Sequence, residues 1–551
     1  MYYNIIVFCL IFTFHSIRLN LTSKYIAMLK PTYVLGLILL VNSSCASKQE
    51  VESNQELPNI LFIAVDDMKP TLGCYGDEMA KSPNIDKIAE KGAVFMNNHC
   101  QQAVCGPSRA SLLTGMYPDE NQVWGFYSIR ERNPNIVTLP QYFKNMGYTT
   151  VNISKIFDQR TVDEYWDSIS WSKPAFPLSE EALTPYFNEE TGPVTTYFYQ
   201  SPIVKEKFGK LKKEAEEKGL HPIRYTQSFI KPATECLEMP DDAYKDGVFA
   251  KKAMMDLEEL SKEEKPFFLA VGFERPHLPW TAPKKYWDLY ERDSFDLAEY
   301  REFAKNDSTW FYTTSNELRS YTDEYGNKVF APLEEHVELN VDLQKKLIHG
   351  YYAAVSYIDA QIGKMMNKLE DLGIAENTIV IVWGDHGYHL GDHRIWGKST
   401  NFEQATHSPL IISVPRTKPV KIENPTGFID IYPTLCDLAG LEVPEYLSGS
   451  SLKELINNRE TFGHNYAYSQ FTRDEKMGYA IRNDRYRYIE WMEEGRHVNP
   501  DADYSAAIAK QLFDYKYDPQ ETVNIANKDS VKEIQKELAK ELQKFYRRTI
   551  N

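Results

Sequence analysis

Two uninterrupted apolar runs, Asn59-Ile60-Leu61-Phe62-Ile63-Ala64-Val65 and Thr378-Ile379-Val380-Ile381-Val382-Trp383, constrain this chain more than any other feature. Neither alternates as a half-exposed strand does, so each reads as a strand buried on both faces, the pattern of a mostly parallel sheet covered by helices in an α/β fold. Each run stops at acid: Asp66-Asp67 after the first, Gly384-Asp385-His386-Gly387 after the second. Ligands of open α/β sheets sit beyond the carboxyl ends of the strands, and both runs deliver carboxylates there. Gathered carboxylates repel one another unless a cation neutralises them. An isolated Asp-Asp is more often a solvated turn; a second acidic strand end changes that balance in favour of a hard divalent metal on Asp66, Asp67 and Asp385. Oxygen donors favour Ca²⁺ first and Mg²⁺ second over Zn²⁺. His386 either joins that set or touches a bound anion, because imidazole is a poor ligand for hard cations.

The stretch Cys105-Gly106-Pro107-Ser108-Arg109-Ala110-Ser111-Leu112-Leu113-Thr114-Gly115 puts a cysteine at the mouth of a helix. Pro107 suits the first turn and Gly115 the C-terminal stop. Free N–H groups and the helix dipole at such an end favour an anion, and Arg109, one turn on, is expected to aim its guanidinium the same way. Taken alone, Cys105 is equally well a buried structural thiol. Further cations follow other strand-like runs: Lys155 after Tyr148–Ile153, His277 in Glu274-Arg275-Pro276-His277-Leu278-Pro279 after Pro266–Phe273, and Lys398 in Gly391–Lys398. A lysine at a strand end is usually just solvated; their common placement after strands raises them as candidates.

The 551 residues exceed one ordinary domain, and 42% apolar residues supply a large core. A formal charge of −16 argues against nucleic acid as a partner, since backbone binding needs clustered cations. Five cysteines beyond the leader region, at no metal-like spacing, leave either free thiols or a disulfide open.

The amino terminus reads as an address. Residues 28–45 carry one positive charge, an apolar run from Tyr33 to Val41 too short to span a bilayer, and small residues ending at Cys45. They resemble a bacterial lipoprotein signal, with Asn42 a departure, so an exported periplasmic or outer-membrane lipoprotein, anchored only through lipid at Cys45, is expected. Residues 46–58 read as a tether. The domain expectation is a leader and tether over 1–58, a catalytic core over 59–455 and a C-terminal subdomain over 456–551, where strand-like runs near 479–491 and a charged helix from about Val531 imply a small antiparallel sheet.

Cys-x-Pro-Ser-Arg followed by Leu-Thr-Gly resembles the signature of the formylglycine-dependent sulfatases, and the order Asp66-Asp67, Cys105–Arg109, Lys155, Pro276-His277, Asp385-His386-Gly387 and Lys398 is similar to theirs. Neighbouring text, including Leu72-Gly73-Cys74-Tyr75-Gly76 and Tyr351-Tyr352-Ala353-Ala354-Val355-Ser356, resembles the iduronate-2-sulfatase-like branch. The resemblance implies an alkaline-phosphatase-like fold. It also implies oxidation of Cys105 to Cα-formylglycine by a maturation enzyme, and a metal held by Asp66, Asp67, Asp385 and His386 with residue 105. In the implied mechanism a hydroxyl of the hydrated aldehyde attacks sulfur. Arg109, Lys155 and Lys398 stabilise the sulfuryl oxygens, and His277 protonates the leaving oxygen. A sulfated, uronic-acid-containing carbohydrate such as ulvan or glycosaminoglycan is the substrate expected. The alternatives are a phosphodiesterase or phosphonate hydrolase of the same superfamily, or a catalytically silent glycan-binding lipoprotein. One departure stands out: the family's histidine three residues after the lysine is Asp158 here. Asp158 is then either a substitute base or a surface residue.

Overall fold

Register explains how distant residues meet in this protein. In the computed structural model, which describes residues 57–163, 166–194, 198–312, 317–335, 337–458, 465–502 and 504–547, β1 (Asn59–Val65) is an interior strand of a seven-stranded sheet. The other strands are β2 (Ala93–Phe95), β3 (Thr149–Ser154), β4 (Phe267–Phe273), β5 (Thr378–Gly384), β6 (Leu410–Ser413) and β7 (Val420–Ile422), in spatial order β7-β2-β6-β5-β1-β4-β3. β1 runs parallel to both neighbours, with Val65 level with Phe273 of β4 and Gly384 of β5. Asp66 and Asp385 are therefore the first residues past two adjacent strand ends. Ser154 of β3 pairs with Gly272 of β4, so Lys155 emerges at the same edge. Only β6 is antiparallel to its neighbours, between β5 and β2.

Both faces of the sheet are covered, which accounts for the unbroken apolar runs. Leu61, Ile63 and Val65 pack with Val380 and Val382 under the helices α2 (Lys245–Leu260) and α3 (Val341–Asp371). Ile60, Phe62 and Ala64 pack with Ile381 and Trp383 on the opposite face, against α1 (Cys105–Thr114) and α4 (Ile431–Leu438). The helix α1 ends as its sequence requires, with Gly115 in the left-handed region at φ 65°.

A second sheet is antiparallel throughout: β8 (Ala467–Arg473), β9 (Lys476–Arg482), β10 (Tyr486–Met492) and β11 (Ala509–Asp514). One face carries Met477, Tyr479, Ile481 and Tyr488 against Leu538, Leu542 and Phe545 of α5 (Lys532–Tyr546). The other face packs Ile489, Trp491 and Phe513 on Phe402 and Tyr312 of the larger body. The sheet is also bonded to the segment that enters α1, since the Gln470 N–H donates to Gln101 O at 2.7 Å and Ser469 Oγ to Cys100 O at 2.6 Å. The expected lipoprotein signal and Cys45 lie outside the described residues. Among those described, Cys74, Cys100, Cys105, Cys236 and Cys436 are free thiols, and no helix is long and apolar enough to cross a membrane.

Candidate active site

Sharp turns at the strand ends aim the side chains. Asp67 and Ser154 are left-handed at φ 59° and 64°, and Ser399, just after Lys398, is at φ 70°. Such backbone costs free energy in residues with a Cβ and clusters where geometry is demanded by a site. A Cβ on Gly272 would lie 2.3 Å from Lys155 O, and one on Gly384 would lie 2.3 Å from Met68 O, so both close passages require glycine. From α3, Tyr351 braces the acidic turn: its hydroxyl donates to Asp67 O at 2.8 Å and accepts the Lys69 N–H at 3.0 Å.

All nine residues singled out from the sequence converge. The ligating atoms of Asp66, Cys105, Asp385 and His386 lie within 4.8 Å of one another, as do those of Asp67, Cys105 and His277. His386 joins the two groups, with Nε2 3.4 Å from Cys105 Sγ and 3.4 Å from Asp67 Oδ1. Its Nδ1 lies 2.9 Å from the Gly387 carbonyl, which can only accept, so Nδ1 carries a proton and Nε2 is the nitrogen turned toward the centre. Lys155 Nζ is 2.6 Å from Asp66 Oδ2, and Lys398 Nζ is 2.7 and 2.9 Å from the two oxygens of Asp67.

Arg109 differs from expectation. Its side chain is sealed from solvent, with Nε on Asp385 Oδ2 at 2.9 Å, one terminal nitrogen near Asp66 Oδ1 at 3.4 Å, and the other donating to the Lys155 and Ile156 carbonyls. With each of its three nitrogens bonded to the protein and the side chain sealed from solvent, it holds the carboxylates and the Lys155 turn in place and does not face an incoming anion. The side chains of Lys155 and Lys398 are 15% and 9% exposed and so less completely sealed.

Electrostatics follow from burial and these pairs. Burial works against ionised Asp66, yet the Lys155, His277 and Arg109 charges hold its carboxyl well below the usual range. Burial, opposed by His386 and Arg109 and aided by the Asp66 charge, pushes Asp385 up, which marks it as a carboxylate short of positive charge. Burial likewise pushes the Cys105 thiol well up, so it stays neutral and is a poor nucleophile as cysteine. Three buried carboxylates and the His386 imidazole form a donor set that fits a hard divalent cation, and Lys155 and Lys398 pair with two of those carboxylates.

His277 is fixed in a loop whose neighbours are pinned: its N–H bonds to Glu274 O at 3.0 Å, and Trp280 Nε1 donates to Pro276 O at 2.7 Å. Nδ1 donates to the Leu278 carbonyl at 2.7 Å and Nε2 faces Glu317 Oε1 at 3.2 Å. Burial and Lys398 disfavour its charged form, but the Asp67, Glu317 and Asp66 carboxylates raise its pKa above the ordinary value. Glu317, which also meets Lys398 at 3.1 Å, carried no signal in the sequence, because it lies in a stretch without periodicity or motif. Asp158 is neither solvent-facing nor free: it is 1% exposed and clamped by Arg160, whose Nε and a terminal nitrogen each lie 2.8 Å from its oxygens. Its carboxyl is held far below the usual range despite burial, by Arg160 and Lys155, which makes it a weak base.

Known proteins resemble this chain over most of its length. The sulfatase family profile matches residues 58–441, and a profile described as N-sulphoglucosamine sulphohydrolase, C-terminal, matches residues 391–548. The chain is 31% identical to human iduronate 2-sulfatase, over 90% of this chain and 96% of that protein. It is 25% identical to an ulvan-active sulfatase of Formosa agariphila, over 96% of this chain and 88% of the relative. A solved structure in complex with its substrate D-glucosamine-2-N,6-O-disulfate superposes with a TM-score of 0.65 at 21% identity, covering 89% of this chain and 97% of that one. The phosphonate monoester hydrolase of Agrobacterium radiobacter shares the fold at a TM-score of 0.64 and 21% identity, over 89% and 95% of the two chains. Matched over most of its length by family, relatives and fold, the chain belongs to the sulfatase family of sulfuric ester hydrolases.

Proposed function

We propose that this protein removes sulfate ester groups from a sulfated, uronic-acid-containing polysaccharide or its oligosaccharides, of the ulvan or glycosaminoglycan type. The observation that carries the reading is the convergence on Cys105 of three carboxylates, His386, His277 and the ammonium groups of Lys155 and Lys398. The relatives that act on iduronate and on ulvan support the substrate class.

Asp66, Asp67, Asp385 and His386 would hold the metal, Ca²⁺ ahead of Mg²⁺. Bound there, it supplies positive charge and Lewis acidity toward a sulfate oxygen. Because the thiol of Cys105 is held neutral, the reading calls for its oxidation to formylglycine by a maturation enzyme, whose hydrate supplies an attacking hydroxyl. Lys155 and Lys398, whose ammonium groups lie beside Asp66 and Asp67, would place two cations where charge develops on the sulfuryl oxygens. Arg109 keeps the carboxylates aligned. His277, with its Nε2 proton held toward Glu317 in the free enzyme, donates that proton to the departing sugar oxygen. Export as a lipoprotein through Cys45 is part of the same proposal and rests on the leader sequence.

The test is mass analysis of the Cys105 peptide from protein made with a maturation enzyme, combined with sulfate release from ulvan, heparan and dermatan oligosaccharides. Aryl phosphate diesters run in parallel expose a phosphonate or phosphodiester hydrolase. An unmodified cysteine with turnover of phosphodiesters alone would overturn the reading.

A further inference from the structure

Where the family carries a histidine, this chain has Asp158-Gln159-Arg160, and the structure gives that replacement a geometry of its own. Asp158 Oδ1 accepts from the backbone N–H of Arg160 at 3.0 Å and from its Nε at 2.8 Å, while Oδ2 accepts from a terminal nitrogen at 2.8 Å. The same Oδ2 lies 3.6 Å from Lys155 Nζ, so the pair is joined directly to the site. The guanidinium carbon of Arg160 sits 3.4 Å from the centroid of the Phe126 ring. Phe126 in turn packs on the residue after Cys105, since a Cβ on Gly106 would lie 3.0 Å from its Cδ1. Arg160 is thus tied to the centre from two directions.

One edge of the guanidinium and one face are used in this way. The side chain of Arg160 is nevertheless 50% exposed, and its Nη1 has no hydrogen-bond partner among the described residues. Phe126 and Tyr127 are 44% and 42% exposed, and exposed Arg132 stands 5.0 Å over the Tyr127 ring. Aromatic faces beside fixed guanidinium donors suit a sugar ring bearing an oxyanion, because a pre-oriented arginine loses little freedom on binding.

We propose that Arg160, positioned by Asp158 and Phe126, forms an anion subsite next to the sulfate-ester pocket and reads a second oxyanion on the substrate, a carboxylate or a further sulfate on the same or the adjoining sugar. The proposal rests on the sulfatase reading of the site and adds a selectivity determinant to it. Charge-assisted hydrogen bonds of this kind are worth about tenfold to hundredfold in binding.

The experiment compares the mature wild-type enzyme with Arg160→Gln and Arg160→Lys on four substrates. These are an aryl sulfate with one anion, a sulfated uronic-acid disaccharide, the same disaccharide after carboxyl reduction, and a disulfated disaccharide without a uronic acid. Arg160→Gln is expected to lower the ratio of kcat/KM for a dianionic sugar over the aryl sulfate by about tenfold or more, chiefly through KM. Arg160→Lys should restore part of it. Carboxyl reduction should cost the wild type a similar factor if a carboxylate is read; a loss confined to the disulfated sugar identifies sulfate instead. A ratio that Arg160→Gln leaves unmoved overturns the subsite and makes Asp158–Arg160 a purely structural pair. If the wild type releases no sulfate from any substrate, the sulfatase reading fails separately. Calorimetric binding of the uronic-acid disaccharide, its carboxyl-reduced form and the disulfated disaccharide to wild type and Arg160→Gln then tests the subsite alone: weaker binding of a dianionic sugar by the variant supports it, and equal affinity of the two proteins for both dianionic sugars overturns it.

Discussion

Arg109 Nε lies 2.9 Å from Asp385 Oδ2, and neither side chain touches solvent. Such a pair adds little net stability over a well-packed apolar pair, but removing one partner strands a buried charge. Arg109→Leu is therefore expected to cost about 3–5 kcal/mol, read by denaturant unfolding, in addition to its effect on turnover. A variant within about 1 kcal/mol of wild type would show that Arg109 is not what holds the carboxylates.

Metal binding should be visible without catalysis. A ligand that binds only the folded state stabilises it by about 2.7 kcal/mol at a hundred times its Kd. Addition of Ca²⁺ to chelator-treated protein should raise the thermal midpoint. Asp66→Asn, Asp67→Asn and Asp385→Asn should each weaken that response, because each removes one unit of compensating charge. An undiminished shift in all three variants would place the ion elsewhere.

Glu317 and His277 lie 3.2 Å apart, and the proposed mechanism makes His277 the proton donor to the leaving oxygen. His277→Ala should slow unactivated sugar sulfates by about a hundredfold or more, while activated aryl sulfates, which need no acid, lose far less. The neighbouring carboxylates raise the His277 pKa, so its acid form is complete at low pH and is lost as pH rises through that raised value. Activity on sugar sulfates should fall on that alkaline limb. Glu317→Gln withdraws one of the stabilising charges and should move the limb to lower pH; an unmoved limb would assign it to another group.

Much of this was legible in the sequence for a definite reason. Asp66 and Asp385 announce themselves because apolar runs end next to them, and Lys155 because it follows a strand-like run; parallel register turns those ends into neighbours. Cys105 was legible from a local motif and a helix start. The direction of Arg109 was not, because a guanidinium near an anion site is equally at home facing the ligand or clamping its neighbours, and only packing decides. The surroundings of Asp158 were hidden for the same reason. Glu317 reaches the site from residues 317–320, a short helical turn without hydrophobic period, so only tertiary structure reveals it.

The antiparallel sheet is joined to the active-site loop through a buried ion cluster, and this makes stability depend on pH. Glu521 is 1% exposed, lies 3.1 Å from Arg487 Nε, accepts from the Tyr515 hydroxyl at 2.7 Å, and receives the Glu403 N–H at 3.0 Å. Arg487 also donates to the carbonyl of Asn401 at 2.9 Å, three residues beyond Lys398. Burial, opposed by Arg487 and reinforced by the Glu403 charge, pushes the Glu521 carboxyl up to about 7 from 4.5. Between those values the folded protein holds a proton that the unfolded chain has released, so stability contributed by this group is greatest in acid and falls as pH rises toward about 7. One linked proton changes stability by at most about 1.4 kcal/mol per pH unit. Glu521→Gln keeps the shape and removes the titration. In guanidinium unfolding at pH 5 and pH 8, it should flatten the pH slope of the wild type and be the more stable protein at the higher pH. If wild type and variant share one slope, Glu521 is ionised throughout and Arg487 compensates both carboxylates, leaving the Lys398 loop indifferent to pH at this cluster.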